Sequence, residues 1–220
     1  MMNTQSKAND PLSGNNIPGA ANFCDALTQM GHRFLALAAG IKPVTSTAAL
    51  FGRAYTVACY PGATHYMERA VEEARPGEVI VVDGRGYDAA VLMGGLMGGR
   101  AFYRGVAGVV IDGAVRDVAE LETYGWPVFA RAVIPAGGTH DQIGSCCEPI
   151  SCGGVRVCPG DYIVGDEDGV VCVPEKAWAE SLDRANAIVE KEKFIAKELK
   201  AGLSLAKAAG KWNEETRRHS

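Results

Sequence analysis

Residues 94–120 read GGLMGGRAFYRGVAGVVIDGAVRDVAE and combine a glycine loop, a short helix, a buried strand and a charged pair. The glycines can expose backbone N–H groups, and the apolar run at residues 106–111 is typical of a buried strand. A guanidinium and a carboxylate, Arg116 and Asp117, stand where this strand ends. Open α/β sheets bind ligands at the carboxyl ends of their strands, so we predict the active site here.

Strands and helices alternate around this stretch, with turns of only a few residues. We predict them in the order strand 78–83, helix 92–104, strand 106–111, helix 117–124 and strand 127–131. Such a βαβαβ run implies parallel strands with helices on the faces of the sheet.

The remaining elements fall on either side of that core. Apolar spacing predicts helices at 20–30 and 64–74, strands at 50–59, 155–157, 162–164 and 170–173, and a charged helix from Pro174 to about Lys200. We therefore predict a single α/β domain, layered as α/β/β/α, with a βαβαβ core, a β-rich second half and a long C-terminal helix. Residues 1–17 are expected to form a flexible lead, 18–210 the domain, and 211–220 a polar, frayed tail.

Composition and charge narrow the class of protein. The chain has 220 residues, of which 47% are hydrophobic, and a net charge of −4. Because positive charge is not clustered, we expect no nucleic-acid partner and no membrane partner. The first 18 residues lack the apolar segment of a secretory signal, and no apolar run reaches the roughly 18 residues of a membrane span. These features predict a soluble, cytoplasmic protein.

Seven cysteines indicate reduced thiols rather than a disulfide framework, because their number is odd and the chain is too large to need cross-links. Four of them lie between residues 146 and 158, close to His140, which leaves a zinc cluster as the alternative. Their spacing lacks paired C-x2-C units, and the adjacent Cys146 and Cys147 cannot easily face one metal. We interpret these cysteines as small buried apolar residues.

Two other segments resemble ligand-binding loops. Residues 84–89 fit the G-x-G-x-x-A pattern of a dinucleotide-binding enzyme or a methyltransferase. The bulky Arg85 and Tyr87 instead favour a plain turn from strand to helix. Residues 165–169 are acidic enough to suggest calcium but too short for an EF-hand, so we predict a hairpin turn at Asp168 and Gly169.

Arg116, Asp117 and Glu120 form a pattern suited to an anionic substrate and a metal ion. Arg116 supplies a cation, and Asp117 supplies a carboxylate for a hard divalent metal. Asp117 and Glu120 share one helix face by the i, i+3 rule, so one can bind the metal while the other orients a metal-bound water. The alternative is a solvated pair at a helix start, where the helix dipole favours Asp117.

The run RGVAGVVIDGAVRD at residues 104–117 resembles the signature of one family. This family includes the 4-hydroxy-4-methyl-2-oxoglutarate/4-carboxy-4-hydroxy-2-oxoadipate aldolases and the regulator of ribonuclease activity A. Residues 76–83, 125–131 and 159–166 also fit it. The resemblance implies a class II pyruvate aldolase, a lyase that uses Mg2+ or Mn2+ and often decarboxylates oxaloacetate as a side activity.

The resemblance also implies a role for each site residue. Asp117 is expected to bind the metal directly and Glu120 through a water, while Arg116 holds the oxo acid and stabilises the pyruvate enolate. The substrate carboxylate is expected to bind the backbone N–H groups of Gly94, Gly95, Leu96 and Met97. A further metal-binding acid, Glu192 or Glu190, is expected to come from a neighbouring subunit of a homotrimer or of a homohexamer built as a dimer of trimers.

Gly95 stands where one subgroup of the family has an aspartate, with twenty residues between it and the Arg-Asp pair. The other subgroup has glycine there and an acid three residues after the aspartate, which Glu120 supplies. Catalytic members and non-catalytic regulators share this second pattern, so binding to ribonuclease E is the alternative function. The residues that select the substrate are expected among Arg53, Arg100, His65 and His140, or on a neighbouring chain.

Overall fold

The computed structural model describes residues 17–218. The predicted flexible lead, apart from residue 17, and residues 219–220 of the predicted tail lie outside this range. Six α-helices are described: α1 Ala20–Gln29, α2 His65–Glu73, α3 Gly95–Tyr103, α4 Val118–Thr123, α5 Trp178–Lys200 and α6 Leu205–Arg218, with a 3-10 turn at Glu175–Ala177 before α5. No helix in residues 17–218 is long and apolar enough to cross a membrane.

Ten strands are described as well. They are β1 Lys42–Pro43, β2 Leu50–Cys59, β3 Glu78–Met93, β4 Gly108–Val115, β5 Val128–Val133, β6 Gly144–Cys146, β7 Ile150–Cys152, β8 Val155–Val157, β9 Tyr162–Asp166 and β10 Gly169–Val173. Those from β2 to β5 alternate with helices. Eight of them form one sheet in the order β1-β5-β4-β3-β2-β9-β10, with β6 paired to β2, while β7 and β8 form a separate hairpin.

The centre of the sheet is parallel, as the βαβαβ pattern predicts. Strand β3 pairs with β2 and β4, and β4 pairs with β5, all in parallel register. The outer strands β9, β10 and β1 are antiparallel to their neighbours. The prediction of a mixed α/β domain with a parallel core and a β-rich second half is confirmed.

Side chains of the central strands alternate between two cores, because successive residues of a strand point to opposite faces. Ile80, Val109 and their same-face neighbours pack with Met67 of α2 and Leu121 of α4. Val79, Val81, Val110 and Phe129 point the other way, toward the β7–β8 hairpin. A third core joins α1 and α5 to β9 and β10. Both faces of the parallel strands are therefore covered.

Strand β3 has 16 residues where six were predicted, which moves the start of α3. The predicted strand ends at residue 83 and the predicted helix begins at 92, whereas β3 continues to Met93 and α3 begins at Gly95. Arg85 and Gly86 have positive φ values of 59° and 66°, and the register to β4 shifts around them. The chain therefore forms a local bulge and resumes the strand, where a turn from strand to helix was predicted.

The C-terminal segment is helical where a frayed tail was predicted. Gly202, with φ 93°, follows the end of α5, and the chain then turns into α6. The rings of Phe194 and Trp212 lie 5.4 Å apart, Lys211 Nζ lies 2.9 Å from Glu198 Oε1, and Ala208 is buried. These contacts join α6 to α5, so residues 211–218 are helical and the prediction of a frayed tail was wrong for them.

Candidate active site

Arg116 and Asp117 lie at the carboxyl edge of the parallel sheet. The backbone N–H of Arg116 donates to the carbonyl oxygen of Met93 at the end of β3, over 3.1 Å. On the other side, Ile134 N–H donates to Val115 O over 3.0 Å, just after β5. Three parallel strands therefore end around Arg116, which confirms that this charged pair occupies a strand end.

Asp117 has a strained backbone and does not cap its own helix. Its φ and ψ are 59° and 38°, in the left-handed region, although it is not a glycine. As the residue before α4, it would ordinarily accept a hydrogen bond from the first turn of that helix. Its carboxylate instead turns to α3, where Oδ2 accepts Gly95 N–H at 3.1 Å and lies 3.3 Å from Arg116 Nε. Strain of this kind is a common feature of functional sites.

Gly94 and Gly95 allow the acidic side chains to approach the backbone of α3. A Cβ on Gly94 would lie 2.6 Å from Asp117 Oδ2, and a Cβ on Gly95 would overlap the Glu120 carboxylate. The space an aspartate at position 95 would need is thus occupied by the Glu120 side chain. This explains in physical terms why glycine at 95 accompanies an acid at 120 in this chain.

The start of α3 presents backbone N–H groups at the site. An α-helix leaves its first N–H groups without intrahelical acceptors, and here the first intrahelical bond is Gly98 N–H to Gly94 O at 3.0 Å. Gly95 N–H is bound to Asp117, while in residues 17–218 Leu96 N–H and Met97 N–H have no backbone acceptor. The positive end of the helix dipole also favours an anion at this position.

Glu120 lies on the first turn of α4, on the side that faces α3. Its Oε1 accepts a hydrogen bond from Tyr124 Oη at 3.2 Å, and its Oε2 faces Gly95. Desolvation, followed by the hydrogen bond to Glu120, raises the pKa of the Tyr124 phenol, which therefore stays protonated and donates. Tyr124 thus fixes the position of the Glu120 carboxylate.

The acidic residues of this site match the ligands of a small divalent metal. Magnesium takes one or two protein carboxylates and fills its other positions with water or substrate. Asp117 Oδ1 has no hydrogen-bond partner within the described chain, and the Asp117 and Arg116 side chains are 44% and 45% exposed. No cluster of three or more potential metal ligands occurs in residues 17–218. Asp117, with Glu120 beside α3, therefore fits a metal ion that has only one or two protein ligands.

Two cavities meet at Arg116. One, of about 400 Å³, is lined by Arg116, Asp117 and residues 133–135 after β5. The other, of about 170 Å³, extends between α2 and α3; its lining includes Gly94, Met97, Arg116, Thr64, Glu68 and His140. The guanidinium of Arg116 is therefore accessible from both, and together they can hold a small, branched anion.

Residues 136–140 form the wall of the smaller cavity and are fixed by backbone hydrogen bonds. Val91 N–H donates to Ala136 O at 3.1 Å, Thr139 N–H to Gly62 O at 2.7 Å, and Thr64 N–H to Thr139 O at 2.8 Å. Gly138 packs so closely that a Cβ would lie 2.5 Å from the carbonyl oxygens of Gly62 and Val91. This packing places His140 beside α2.

Of the four residues predicted to select the substrate, only His140 lines a cavity that Arg116 also lines. Arg53 pairs with Glu175, and its guanidinium carbon lies 5.3 Å from the centre of the Tyr162 ring, in a separate cavity. Arg100 makes two hydrogen bonds to Glu72, of 2.8 and 2.9 Å. His65 packs edge-on against Tyr66, with ring centres 5.2 Å apart.

Glu190 and Glu192 lie on α5 with partners inside this chain. Glu192 Oε2 accepts a hydrogen bond from Asn22 Nδ2 at 2.9 Å, and Glu190 Oε1 lies 2.7 Å from Lys193 Nζ. Both bonds are exposed, so neither prevents these carboxylates from meeting another subunit. Their predicted role in a neighbouring site stays a prediction.

Comparisons with known proteins agree with this architecture. The family model described as RraA-like, Aldolase/RraA, matches residues 20–172. The chain belongs to the RraA-like family. A Halalkalibacterium halodurans protein, provisionally named 4-hydroxy-4-methyl-2-oxoglutarate aldolase, is 38% identical over 149 residues, which cover 68% of this chain and 71% of that protein.

Solved structures with this fold include an uncharacterised protein from Pseudomonas syringae pv. tomato. It superimposes with a TM-score of 0.79 at 28% identity, over 87% of this chain and 92% of that one. The RNA-processing inhibitor RraA from Thermus thermophilus superimposes with a TM-score of 0.60 at 34% identity, over 64% of this chain and 85% of that one. The predicted membership of the RraA-like family is confirmed. The relatives of this chain include proteins named as enzymes and proteins named as inhibitors.

The glycine pattern at residues 84–89 does not form a nucleotide loop in this RraA-like chain. These residues lie within β3 rather than between a strand and a helix, so the predicted plain turn was wrong as well. A Cβ on Gly84 would lie 2.6 Å from Asp112 O. Gly84 therefore serves the close approach of β3 to β4, and the strand-to-helix context of a dinucleotide fingerprint is missing.

The acidic segment at residues 165–169 forms the hairpin turn between β9 and β10, as predicted. Asp166 pairs with Gly169 across the turn, and Asp166 Oδ1 accepts Asp168 N–H at 3.0 Å. The other oxygen of Asp166 accepts Ala20 N–H at 2.7 Å and so caps α1. The Asp166 carboxylate therefore has a structural role at this turn.

Two of the four cysteines between residues 146 and 158 lie on opposite faces of the sheet, whereas Cys147 is exposed, contrary to the prediction that these cysteines are buried. Cys146 packs with the core beneath α2, whereas Cys152 lies in the core on the opposite face. Burial raises the pKa of the Cys152 thiol well above its ordinary value. Such a thiol is inert, which agrees with its interpretation as a small apolar residue.

Thr64, Glu68 and the backbone of residues 137–138 also line the smaller cavity, and none of them was predicted as a site residue. Thr64 and Glu68 are spaced i, i+4 at the start of α2, and Thr64 Oγ1 donates to Glu68 Oε1 at 3.0 Å. That spacing was visible in the sequence as an ordinary helix start. The packing of residues 136–140 on this turn depends on contacts 75 residues apart, such as Thr64 to Thr139, which a local pattern does not predict.

Proposed function

We propose that this protein is a divalent-metal-dependent lyase that cleaves a 4-hydroxy-2-oxo dicarboxylic or tricarboxylic acid. The substrates that fit are 4-hydroxy-4-methyl-2-oxoglutarate and 4-carboxy-4-hydroxy-2-oxoadipate, and the products are pyruvate and a second oxo acid. The observation that carries the proposal is the convergence of Arg116, Asp117 and the N–H groups of α3 at one strand end. Relatives named for this aldolase activity support it.

The residues around Arg116 suit a reaction that passes through a pyruvate enolate. The N–H groups at the start of α3 would bind the carboxylate of the oxo acid, and the planar guanidinium of Arg116 would bind its carbonyl oxygen. Asp117, with Glu120 through a water, would hold Mg2+ or Mn2+, which supplies positive charge where the enolate oxygen develops. Arg116 stabilises that same negative charge, and donors placed in advance at such an oxygen lower the barrier strongly.

The same site would decarboxylate oxaloacetate, because loss of carbon dioxide from this acid also leaves the enolate of pyruvate. No additional residue is needed for that bond to break. The decarboxylase side activity therefore belongs to the same proposal. Oxaloacetate is also a simpler substrate, and its decarboxylation measures the contribution of Arg116 and Asp117 alone.

A direct assay tests the proposal. Purified protein would be incubated with Mg2+ or Mn2+ and, in separate reactions, with 4-hydroxy-4-methyl-2-oxoglutarate, 4-carboxy-4-hydroxy-2-oxoadipate and oxaloacetate. Lactate dehydrogenase and NADH report pyruvate as it forms. We expect metal-dependent pyruvate release that EDTA abolishes. Absence of metal-dependent pyruvate from all three acids would rule out the proposed lyase.

We also propose that the active form is a homotrimer or a dimer of trimers, in which Glu192 or Glu190 of one subunit completes the metal site of the next. Leu96 beside the site is 86% exposed and Val133 is 53% exposed, as expected for residues that a second subunit covers. Light scattering after gel filtration measures the mass. A monomeric, fully active protein would contradict this assembly.

A second candidate function is regulation of ribonuclease E by binding. The similarity to a structure titled as an RNA-processing inhibitor favours it. A regulator would bind through its surface, so substitution of Asp117 would leave binding intact. Co-sedimentation with purified ribonuclease E, together with an inactive pyruvate assay, would favour this function over the lyase.

A further inference from the structure

His140, Glu68 and Thr64 form a chain of polar contacts at the cavity that Arg116 also lines. His140 Nδ1 lies 3.0 Å from Glu68 Oε1, and Thr64 Oγ1 donates to the same oxygen at 3.0 Å. Thr64 Oγ1 also lies 3.0 Å from Thr139 O, so its position is fixed from two sides. An imidazole whose Nδ1–H is held by a carboxylate keeps Nε2 as a proton acceptor.

Stability does not account for this arrangement. The His140 side chain is 84% exposed and that of Glu68 is 44% exposed, and exposed pairs of this kind contribute little to folding. Yet the backbone that carries His140 is fixed by hydrogen bonds to residues 62, 64 and 91. A rigid backbone that presents an exposed imidazole to a cavity is better explained by contact with a substrate.

We propose that His140 is the general base that removes the proton from the C4 hydroxyl of the substrate, with Glu68 as its positioning residue. This inference rests on the proposed lyase function, and it assigns the half of the reaction that Arg116 and Asp117 leave without a residue. Arg116 lines the same cavity as His140. In this proposal the C2 carbonyl of the substrate lies at Arg116, and its C4 end lies in the part of the same cavity that Glu68 and His140 line.

The proton and electrons balance over the cleavage step. His140 Nε2 takes the hydroxyl proton, the C4–O bond becomes a carbonyl, and the C3–C4 bond breaks. Its electron pair passes into the C2–C3 bond and onto the C2 oxygen, which gives the enolate of pyruvate beside Arg116. The imidazolium then releases its proton to water, and C3 of the enolate takes one proton from water to give pyruvate. Imidazole is the side chain most often used for such a transfer.

Oxaloacetate has no C4 hydroxyl proton to lose, so it separates the role of His140 from that of Arg116. In the variant His140→Gln, we expect kcat for cleavage of 4-hydroxy-4-methyl-2-oxoglutarate to fall about 100-fold, the lower range for loss of a general base. The ratio of cleavage to oxaloacetate decarboxylation should fall at least ten-fold. His65→Gln is the matched control, because His65 is a neighbouring histidine that contacts Tyr66 and does not line this cavity.

Inhibition by oxalate, which mimics the pyruvate enolate, tests an alternative role in binding. A general base at C4 should leave the inhibition constant of oxalate within about a factor of two in His140→Gln, since oxalate occupies only the Arg116 end. If that constant rises in parallel with the loss of kcat, His140 binds a carboxylate and the proposal is overturned.

Glu68 variants test the positioning role. Glu68→Gln keeps an oxygen that accepts Nδ1–H but loses the charge, so it should reduce cleavage by less than His140→Gln. Glu68→Ala should lower the ratio of cleavage to decarboxylation as much as His140→Gln does, through kcat rather than KM. An unchanged ratio in both His140→Gln and Glu68→Ala overturns this inference and leaves the lyase standing. A wild-type protein that releases no pyruvate from either substrate overturns both.

Discussion

Two Arg–Asp pairs lie near the carboxyl end of β4 and are built differently: Asp112 of β4 pairs with Arg131 of β5, and Asp117 pairs with Arg116 just after β4. Asp112 is buried and both of its oxygens are used: Oδ1 accepts Arg131 Nε at 2.6 Å and Oδ2 accepts Gly153 N–H at 2.7 Å. Asp117 is half-exposed, its contact with Arg116 is 3.3 Å long, and within the described chain its Oδ1 has no partner. Of these two aspartates, only Asp117 has a left-handed backbone.

The difference separates a structural pair from a ligand site on the same strand. A buried carboxylate must have every lone pair satisfied, because an unpaired charge in the interior is costly. A carboxylate that binds a metal or substrate must keep one oxygen available and must be held in place by something other than that ligand. Asp117 meets this requirement through the strained backbone before α4 and the N–H of Gly95.

The largest effect is expected from Asp117→Asn, which tests whether the Asp117 carboxylate binds a ligand. Asparagine keeps the shape and tolerates the left-handed backbone, so stability should change by less than about 0.5 kcal/mol. Metal-dependent pyruvate release should fall at least about 100-fold, because charge at the developing enolate is lost. Steady-state assays and a urea unfolding curve measure the two quantities. A rate close to wild type would remove Asp117 from the metal site.

The matched change Asp112→Asn should lower stability and leave substrate binding unchanged. Asparagine has one acceptor oxygen where Asp112 uses two, so either Arg131 or Gly153 N–H loses its partner and the Arg131 charge is left uncompensated. We expect the free energy of unfolding to fall by about 3 kcal/mol. Residual folded protein should retain wild-type KM, since Asp112 lines neither cavity at Arg116. Unchanged stability would show that the buried pair is dispensable.

Part of this difference between the two pairs could be predicted from the sequence. The periodicity at residues 78–83, 106–111 and 127–131 predicted the parallel core, because a strand buried on both faces reads as a continuous apolar run. It also placed Arg116 and Asp117 at a strand end. The bulge at Arg85 and Gly86 was not predictable, since a glycine pair indicates a turn as readily as a bulge, and only the register to β4 distinguishes them.

The rest of the site depends on contacts between distant residues. Asp112 binds Arg131 and Gly153 N–H and is not part of the site, because β5 and the β7–β8 hairpin pack on β4. Likewise Glu68 and His140 meet only because residues 136–140 pack on the start of α2. Local patterns identified which residues carry charge near β4, but not which of those charges are already satisfied.

A smaller effect is expected from Gly95→Ala, which changes the support of the site without removing a ligand. The added Cβ would overlap the Glu120 carboxylate and force it to rotate away from α3. Activity should fall about ten-fold, in the range seen when groups that orient metal ligands are lost. The control is Gly210→Ala in α6, where a Cβ meets open space. If Gly95→Ala lowers activity no further when Glu120→Ala is also present, the effect acts through Glu120.

The smallest effect is expected at a third arginine–carboxylate pair, Glu72 and Arg100, which is exposed and lines neither of the two cavities at Arg116. The hydrogen bond from Arg100, then its charge, holds the pKa of the Glu72 carboxyl below its ordinary value of 4.5. A carboxyl whose pKa is lowered by folding stabilises the protein above its ordinary pKa, and this contribution is lost as pH falls through the lowered value.

Glu72→Gln should therefore unfold slightly more easily in urea at pH 7 and converge with the wild type as the pH falls below 4. Pyruvate release at pH 7 should be unchanged, because Glu72 contacts no residue of the site. Parallel curves at every pH would show that this pair contributes nothing to stability. A loss of activity would instead mean that the Glu72–Arg100 pair is needed at the site although it is exposed. The pair would then act by holding α2 and α3 in the orientation that the site requires.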